Sequence, residues 1–356
     1  MSTLHRAGQW LLKSGIQEPS GGVARYYRSE IGANKSVSTE ITGYAASAFA
    51  YLYRKTGDSA YLEAAQRAAA FLADTAWDGA LALFPFEHPS PSPVSNHHAY
   101  FFDTGIIVRG LMAVWRVTHD ETLLKLSVTA SRAMRLAFFS GSDYHPILTL
   151  PAKAPLERTP QWSRGPGCYQ LKAALAWRDT GSESGDAALM AAYQELVREA
   201  LVSHREFLRL SPDPYQMMDR LHAYSYFVEA LIPMLADADC QATYAYAVEA
   251  IATELRLIAP TFARSDVYAQ LLRARLYAEP ILGIDAAAAA EEACALGEFQ
   301  AESDDPRIDG GFVFGRRDGA LSPHVNPVST TFALQALEMW RAREAGSGRP
   351  CYNDLI

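Results

Sequence analysis

Apolar and polar positions along the 356-residue chain fall into two kinds of helical stretch that alternate. One kind is amphipathic, as in Tyr61-Leu62-Glu63-Ala64-Ala65-Gln66-Arg67, with charge confined to one side. The other is apolar nearly all round, as in Ile106-Ile107-Val108 through Leu111-Met112-Ala113-Val114-Trp115. A helix apolar on every side is buried, whereas an amphipathic one keeps a face in water. Periodicity and breakers predict twelve helices in six pairs. The amphipathic members cover roughly 3–14, 58–75, 120–139, 186–209, 239–259 and 284–301. Their apolar partners cover roughly 38–55, 99–118, 166–180, 219–236, 264–279 and 326–345.

The pairs are tied together by a repeated phrase. Arg54-Lys55-Thr56-Gly57-Asp58, Arg116-Val117-Thr118-His119-Asp120 and Arg178-Asp179-Thr180-Gly181 stand 62 residues apart each time. Each copy is expected to end an apolar helix and open an amphipathic one, with Thr or Asp capping the new helix. A helix–turn–helix unit of this size cannot bury its own apolar face, so the units must pack on one another. The return connections, about 16–37, 76–98, 140–165, 210–218 and 302–325, are long, unlike each other and rich in Pro, Gly and aromatic residues. Such loops are where function concentrates.

Six buried helices with six amphipathic partners predict an all-α (α/α)6 toroid, with residues 1–356 as one domain. An open α-solenoid is the alternative, but it needs polar capping helices, and the last helix reads as buried. Phe312 and Phe314 alternate toward a turn at Arg317-Asp318-Gly319, which predicts a small β-hairpin near 310–325. Gly21-Gly22-Val23-Ala24-Arg25-Tyr26-Tyr27 looks like a second version of Gly310-Gly311-Phe312-Val313-Phe314-Gly315-Arg316. The two would be neighbours where a ring closes.

Composition narrows the partners. A formal charge of −8 without any Lys/Arg cluster argues against nucleic acid, whose phosphates require a basic face. No run reaches the eighteen or so apolar residues of a membrane span. The first seventeen positions lack the apolar core and cleavage site of a secretory signal, so a cytoplasmic protein is expected. Cys168, Cys240, Cys294 and Cys351 lie far apart, which fits reduced thiols better than a disulfide framework or a zinc site. Oligomeric state is left open.

Polar residues at the starts of the buried helices are the candidates for chemistry, because helix dipoles favour charge there. In order they include Glu40 with Tyr44, then His97, His98, Tyr100 and Asp103, then Trp162 and Arg164. His222 and Tyr224, Asp266, and Asn326 follow. Aromatic faces, hydrogen-bonding groups and carboxylates in one place suit a sugar. Asp103 is the sharpest signal, since a carboxylate inside Phe101-Phe102-Asp103-Thr104-Gly105 costs several kcal/mol unless it is paired or protonated. Glu40 and Asp266 stand equally well as first-turn acids. Arg25 and Arg316 could grip a substrate carboxylate, or be exposed hairpin charge. His97-His98 completes no metal motif, so no metal and no organic cofactor are expected.

Tyr100-Phe101-Phe102-Asp103-Thr104-Gly105, running to Arg116-Val117-Thr118, resembles a segment of the unsaturated glucuronyl and rhamnogalacturonyl hydrolase families. Trp162-Ser163-Arg164-Gly165, with the helix ending at Thr180-Gly181, resembles their tryptophan-x-arginine-glycine element. The resemblance implies a six-hairpin glycosidase-like (α/α)6 scaffold, with Asp103 as general acid/base hydrating a 4,5-unsaturated uronic acid. It leaves the second acid open, because positions 158–161 before Trp162 carry none and Glu157 is the nearest. Glu40 or Asp266 would fill that role, and Trp162, Arg164, His97, His98 and His222 would orient an oligosaccharide or other small glycan. An epimerase or lyase on the same scaffold, with His222 or Tyr224 as base, is the alternative. A toroid that binds a glycan or a protein without catalysis is a third possibility.

Overall fold

The computed structural model describes residues 3–88, 97–140, 143–159, 161–208 and 211–356. Among them are twelve α-helices. The first six are α1 (Thr3–Lys13), α2 (Thr39–Thr56), α3 (Ser59–Ala70), α4 (Phe101–Thr118), α5 (Glu121–Ala137) and α6 (Leu171–Ser184). The rest are α7 (Ala187–Phe207), α8 (Pro214–Leu231), α9 (Ala238–Ile258), α10 (Ser265–Leu282), α11 (Ala286–Gly297) and α12 (Pro327–Glu344). Burial follows the hydrophobic pattern. In α4 every residue from Asp103 to Val114 is buried, whereas α5 buries only Leu123, Ser127, Ala130, Ser131 and Met134.

Two copies of the repeated phrase form the same turn. Thr56 Oγ1 donates to Leu52 O at 2.8 Å and accepts from Asp58 N at 3.2 Å. Thr118 does likewise with Val114 O and Asp120 N, at 2.9 and 3.3 Å. Left-handed Gly57 and His119 end the helices, and Asp58 and Asp120 cap the next ones. The third copy departs from this pattern. Thr180 bonds back to Ala176 O in the same way, but α6 runs one turn further to Ser184. There Gly185 takes the left-handed conformation, and Asp186 accepts from Ala188 N at 3.0 Å. Thr180 and Asp179 face inward instead. Thr180 Oγ1 meets Ser131 Oγ at 3.0 Å, and Asp179 forms a buried ion pair with Arg109 at 3.3 Å. The α8 start also moves, to Pro214, because Asp213 caps Tyr215 N and proline is pre-set for a first helical turn.

Gln17–Arg25 and Ser36–Val202 pack into one compact unit. Its centre is the succession α2, α4, α6, with α3 against α2 and α5 against α4 and α6. Glycines set the spacing. A Cβ on Gly110 would lie 2.4 Å from Gly43 O, and one on Gly105 would lie 2.4 Å from Ala173 O. Gly105→Ala is therefore expected to destabilise the protein by about 1–3 kcal/mol, the usual cost of overpacking. Alanine's better helix propensity acts in the opposite sense. Urea denaturation of the variant checks this, and an unchanged midpoint would refute the close-packing account.

Met1–Ile16, Tyr26–Lys35 and Ser203–Ile356 form the second unit. In it α10 lies against α8 and α12, α1 covers α12, α9 covers α8, and α11 covers α10. The predicted hairpin is present: Gly315–Arg317 pairs with Ala320–Leu321 around Asp318 (φ 46°) and Gly319 (φ 81°). It also pairs with Phe262–Arg264, a strand the sequence did not announce. Tyr27–Arg28 pairs antiparallel with His324–Val325, so chain segments from near both ends of the sequence share one small sheet.

Candidate active site

Two clusters of polar side chains sit at starts of buried helices, one in each unit. In the first unit, Ser38 caps α2 through Ile41 N at 3.3 Å and leaves Glu40, half-buried, in the opening turn. The strand His98–Tyr100 pairs with Ile147–Thr149 and delivers the chain into α4. Thr104 Oγ1 donates back to Tyr100 O at 2.8 Å, and Gly105 admits α6. Two of the three residues in Asp103-Thr104-Gly105 are thus structural, and Asp103 alone is left for chemistry. Asp103 is 6% exposed, and its Oδ2 has no hydrogen-bond partner.

Burial drives the protonation of both acids. Desolvation, and then the charge of Glu40, hold Asp103 well above the usual carboxylate range, and Arg25 only partly opposes them. Desolvation likewise pushes Glu40 up to about 7 against the pull of Arg25. Burial thus biases Asp103 toward its protonated form, next to a Glu40 raised to about 7. Tyr100 stands in the same field. Burial and then Asp103 push its phenol up to about 12. Burial lowers His98, with Arg164 adding to the effect.

A third contribution to the cluster comes from the segment before α6. Trp162–Arg164 forms a single 3-10 turn, and the Trp162 ring meets Tyr169 edge-on at 5.1 Å. Tyr169 in turn lies 6.1 Å from Phe102, beside Asp103 in sequence. Arg164 is half-buried and forms no ion pair or hydrogen bond through its guanidinium among the described residues. This cluster therefore offers a proton donor, an acid that ionises near pH 7, an unclaimed cation and aromatic rings.

In the second unit the cluster is closed on itself. Arg264 Nε and Nη2 donate to the two oxygens of Asp266 at 3.0 and 2.6 Å, and Nη1 donates to Asp219 at 2.7 Å. Burial pushes Asp266 up, but Arg264 and His222 outweigh it, so the carboxyl stays below its ordinary value. Asp266 is therefore held by arginine on the ionised side, the opposite of Asp103 and Glu40. His222 Nδ1 lies 2.9 Å from Gln270 Oε1 and 3.5 Å from Asp266 Oδ2. Burial, then Arg264, pulls its imidazole down to about 4.

No family model matches the chain, and no curated protein sequence matches it. Solved structures do. Cellobiose 2-epimerase from Spirochaeta thermophila aligns with a TM-score of 0.72 at 14% identity, over 96% of this chain and 94% of that one. An unsaturated glucuronyl hydrolase specific for heparin gives 0.68 at 11% identity, over 96% and 97%. D-mannose isomerase gives 0.68 at 8% identity, over 96% and 97%. The fold is an (α/α)6 toroid.

On this toroid several expected binding residues are occupied elsewhere. Tyr224 is fully buried with its hydroxyl 2.6 Å from His204 Nδ1 on α7, so it is a packing residue and not a base. Tyr44 is buried within α2 and presents no platform. Asn326 caps α12, its Oδ1 accepting from Val328 N and Ser329 N at 2.8 and 3.1 Å. Arg316 pairs with Glu298 at 2.7 Å and lies over Phe299. His97 is exposed, one residue before the strand His98–Tyr100. Glu87, by contrast, is not marked by the sequence: it sits outside helices, where no periodicity signals burial.

Proposed function

We propose that the toroid is a carbohydrate-active enzyme acting on a short, uronate-containing glycan, as a glycoside hydrolase of the unsaturated uronyl type. The observation that carries this reading is Asp103, a buried acid with one oxygen unpartnered, held above the usual carboxylate range beside a second carboxylate raised to about 7. Hydration of a vinyl ether needs just that pair. Asp103 gives its proton to the ring double bond, and ionised Glu40 removes a proton from the attacking water. The hydroxyl is added next to the ring oxygen, and the resulting hemiketal opens to release the neighbouring sugar. Arg164 supplies a guanidinium for the uronate, and Trp162 and Tyr100 supply stacking faces.

The test is a panel of 4,5-unsaturated uronyl disaccharides followed by loss of their ultraviolet absorbance. Activity should rise with pH through about 7 as Glu40 ionises. No absorbance loss on any member of the panel refutes the hydrolase reading.

A second reading, sugar epimerisation, rests on His222. Both groups near its Nδ1, Gln270 Oε1 and Asp266 Oδ2, are acceptors, so Nδ1 carries the proton and Nε2 is left as a neutral base. Such a base can remove a proton from carbon next to a carbonyl, and an epimerase and an isomerase share this fold. Incubation with cellobiose or mannose in deuterated water decides it: exchange at C2 that disappears in His222→Asn supports epimerisation, and no exchange excludes it for these sugars.

A further inference from the structure

We propose that Glu87 is a positioning residue: together with Phe86 it parks the Arg25 guanidinium beside the Asp103–Glu40 pair and keeps it from binding either carboxylate. The inference rests on reading that pair as the acid–base machinery.

Glu87 is 3% exposed although it lies in a connection between helices. Its Oε1 accepts from Arg25 Nη1 at 3.1 Å and from Ser36 Oγ at 2.9 Å. The guanidinium lies 5.1 Å from the centre of the Phe86 ring, which itself packs 5.2 Å from Tyr100. The backbone of this stretch is stitched to both halves of the site. Thr39 N donates to Phe86 O at 3.2 Å, at the start of the helix that bears Glu40. Phe86 N donates to His98 O at 2.9 Å, in the strand that leads to Asp103. Ser38 and Glu87 form an antiparallel bridge. Glu87 is thus a rigid anchor tied to the two segments that carry the acids.

The consequence is electrostatic. Arg25 makes no hydrogen bond or ion pair with Glu40 or Asp103, yet its charge acts on both. A guanidinium free to move would pair with the half-buried Glu40, ionise it and block it. Glu87 takes that hydrogen bond instead. The other charged or titratable groups facing the pair are Tyr100 and His98 before α4, and Arg164 and Tyr169 before α6. None of these contacts Glu87 or Arg25 by a hydrogen bond.

The experiment is carboxyl 13C NMR titration of the full chain labelled at Glu and Asp, read for Glu40. Glu87→Gln should lower the Glu40 midpoint by about one pH unit or more, because Arg25 then closes on it. Arg25→Gln should raise the midpoint. In the double variant Arg25→Gln/Glu87→Gln the midpoint should equal that of Arg25→Gln alone, since Glu87 acts through Arg25. The double variant buries no unpaired charge, so it is read against Arg25→Gln even if Glu87→Gln fails to fold. Movement of both single variants in the same direction, or a further shift in the double variant, overturns the proposal. The titration uses no substrate. A silent uronide panel with the expected midpoints would therefore remove the hydrolase reading and leave the anchor standing.

Discussion

Asp103→Asn is expected to lower turnover by about 10²–10⁴-fold, the range for a general acid, while making the protein more stable at pH 8. The two effects have one origin. The amide matches the protonated acid in shape but has no proton to give. Stability follows from linkage: a carboxyl whose pKa is raised in the fold keeps its proton there while the unfolded chain ionises. Stability is then fully present below the unfolded pKa and is lost as pH rises toward the folded one. Wild type therefore carries a deficit at pH 8 that it lacks near pH 4, and Asn carries it at neither. Glu40→Gln should act in the same sense. Its rise from 4.5 to about 7 sets an upper limit of about 3 kcal/mol, reduced because Glu40 is half-buried. Thermal melts of both variants at pH 4.5 and pH 8, with turnover on the best uronide, check this. A variant equally stable relative to wild type at both pH values would show that Asp103 is ionised in the fold.

Asp103 was legible because its neighbours are Phe101, Phe102 and a run of apolar helix, where an acid has to be protonated or paired. The helices were legible for the related reason that burial repeats along them with a fixed period. What escaped lies where periodicity carries no information. Glu87 belongs to a connection whose burial arises from strand-like bonds to Thr39 and His98, far away in sequence. His222 and Tyr224 illustrate the finer limit. They sit two positions apart on α8, so a helix turns them to different sides: His222 toward Gln270 and Tyr224 toward His204. Choosing between them needs the exact phase of the helix, which a start misplaced from Pro214 to Asp219 obscures. The third repeat of the Arg-x-Thr phrase failed as a turn because Asp179 and Thr180 gained buried partners in Arg109 and Ser131. The same words were put to a different use.

The largest stability effect is expected at Arg273, in Leu271-Leu272-Arg273-Ala274-Arg275 of the buried helix α10. Arg275 pairs with Glu292 and with exposed Glu249. Arg273 is wholly buried. Its guanidinium pairs with the equally buried Glu229 of α8, donates to Gln335 Oε1 of α12 at 3.0 Å and lies 4.0 Å from the Phe332 ring centre. One side chain on α10 thus joins the two helices that flank it. Arg273→Met keeps the length and apolar stem but strips Glu229 of this counter-ion. Breaking a buried pair from one side costs about 3–5 kcal/mol, because the remaining charge has lost its compensation. That is a large share of the roughly 5–15 kcal/mol that holds a typical protein folded. Glu229→Leu combined with Arg273→Met should recover most of the loss, because two apolar groups of similar volume need no partner. Urea midpoints of the single and double variants provide the measurement. Equal losses in the single and double variants would mean that the cost lies in packing around Phe332 and Gln335, and not in the buried charge.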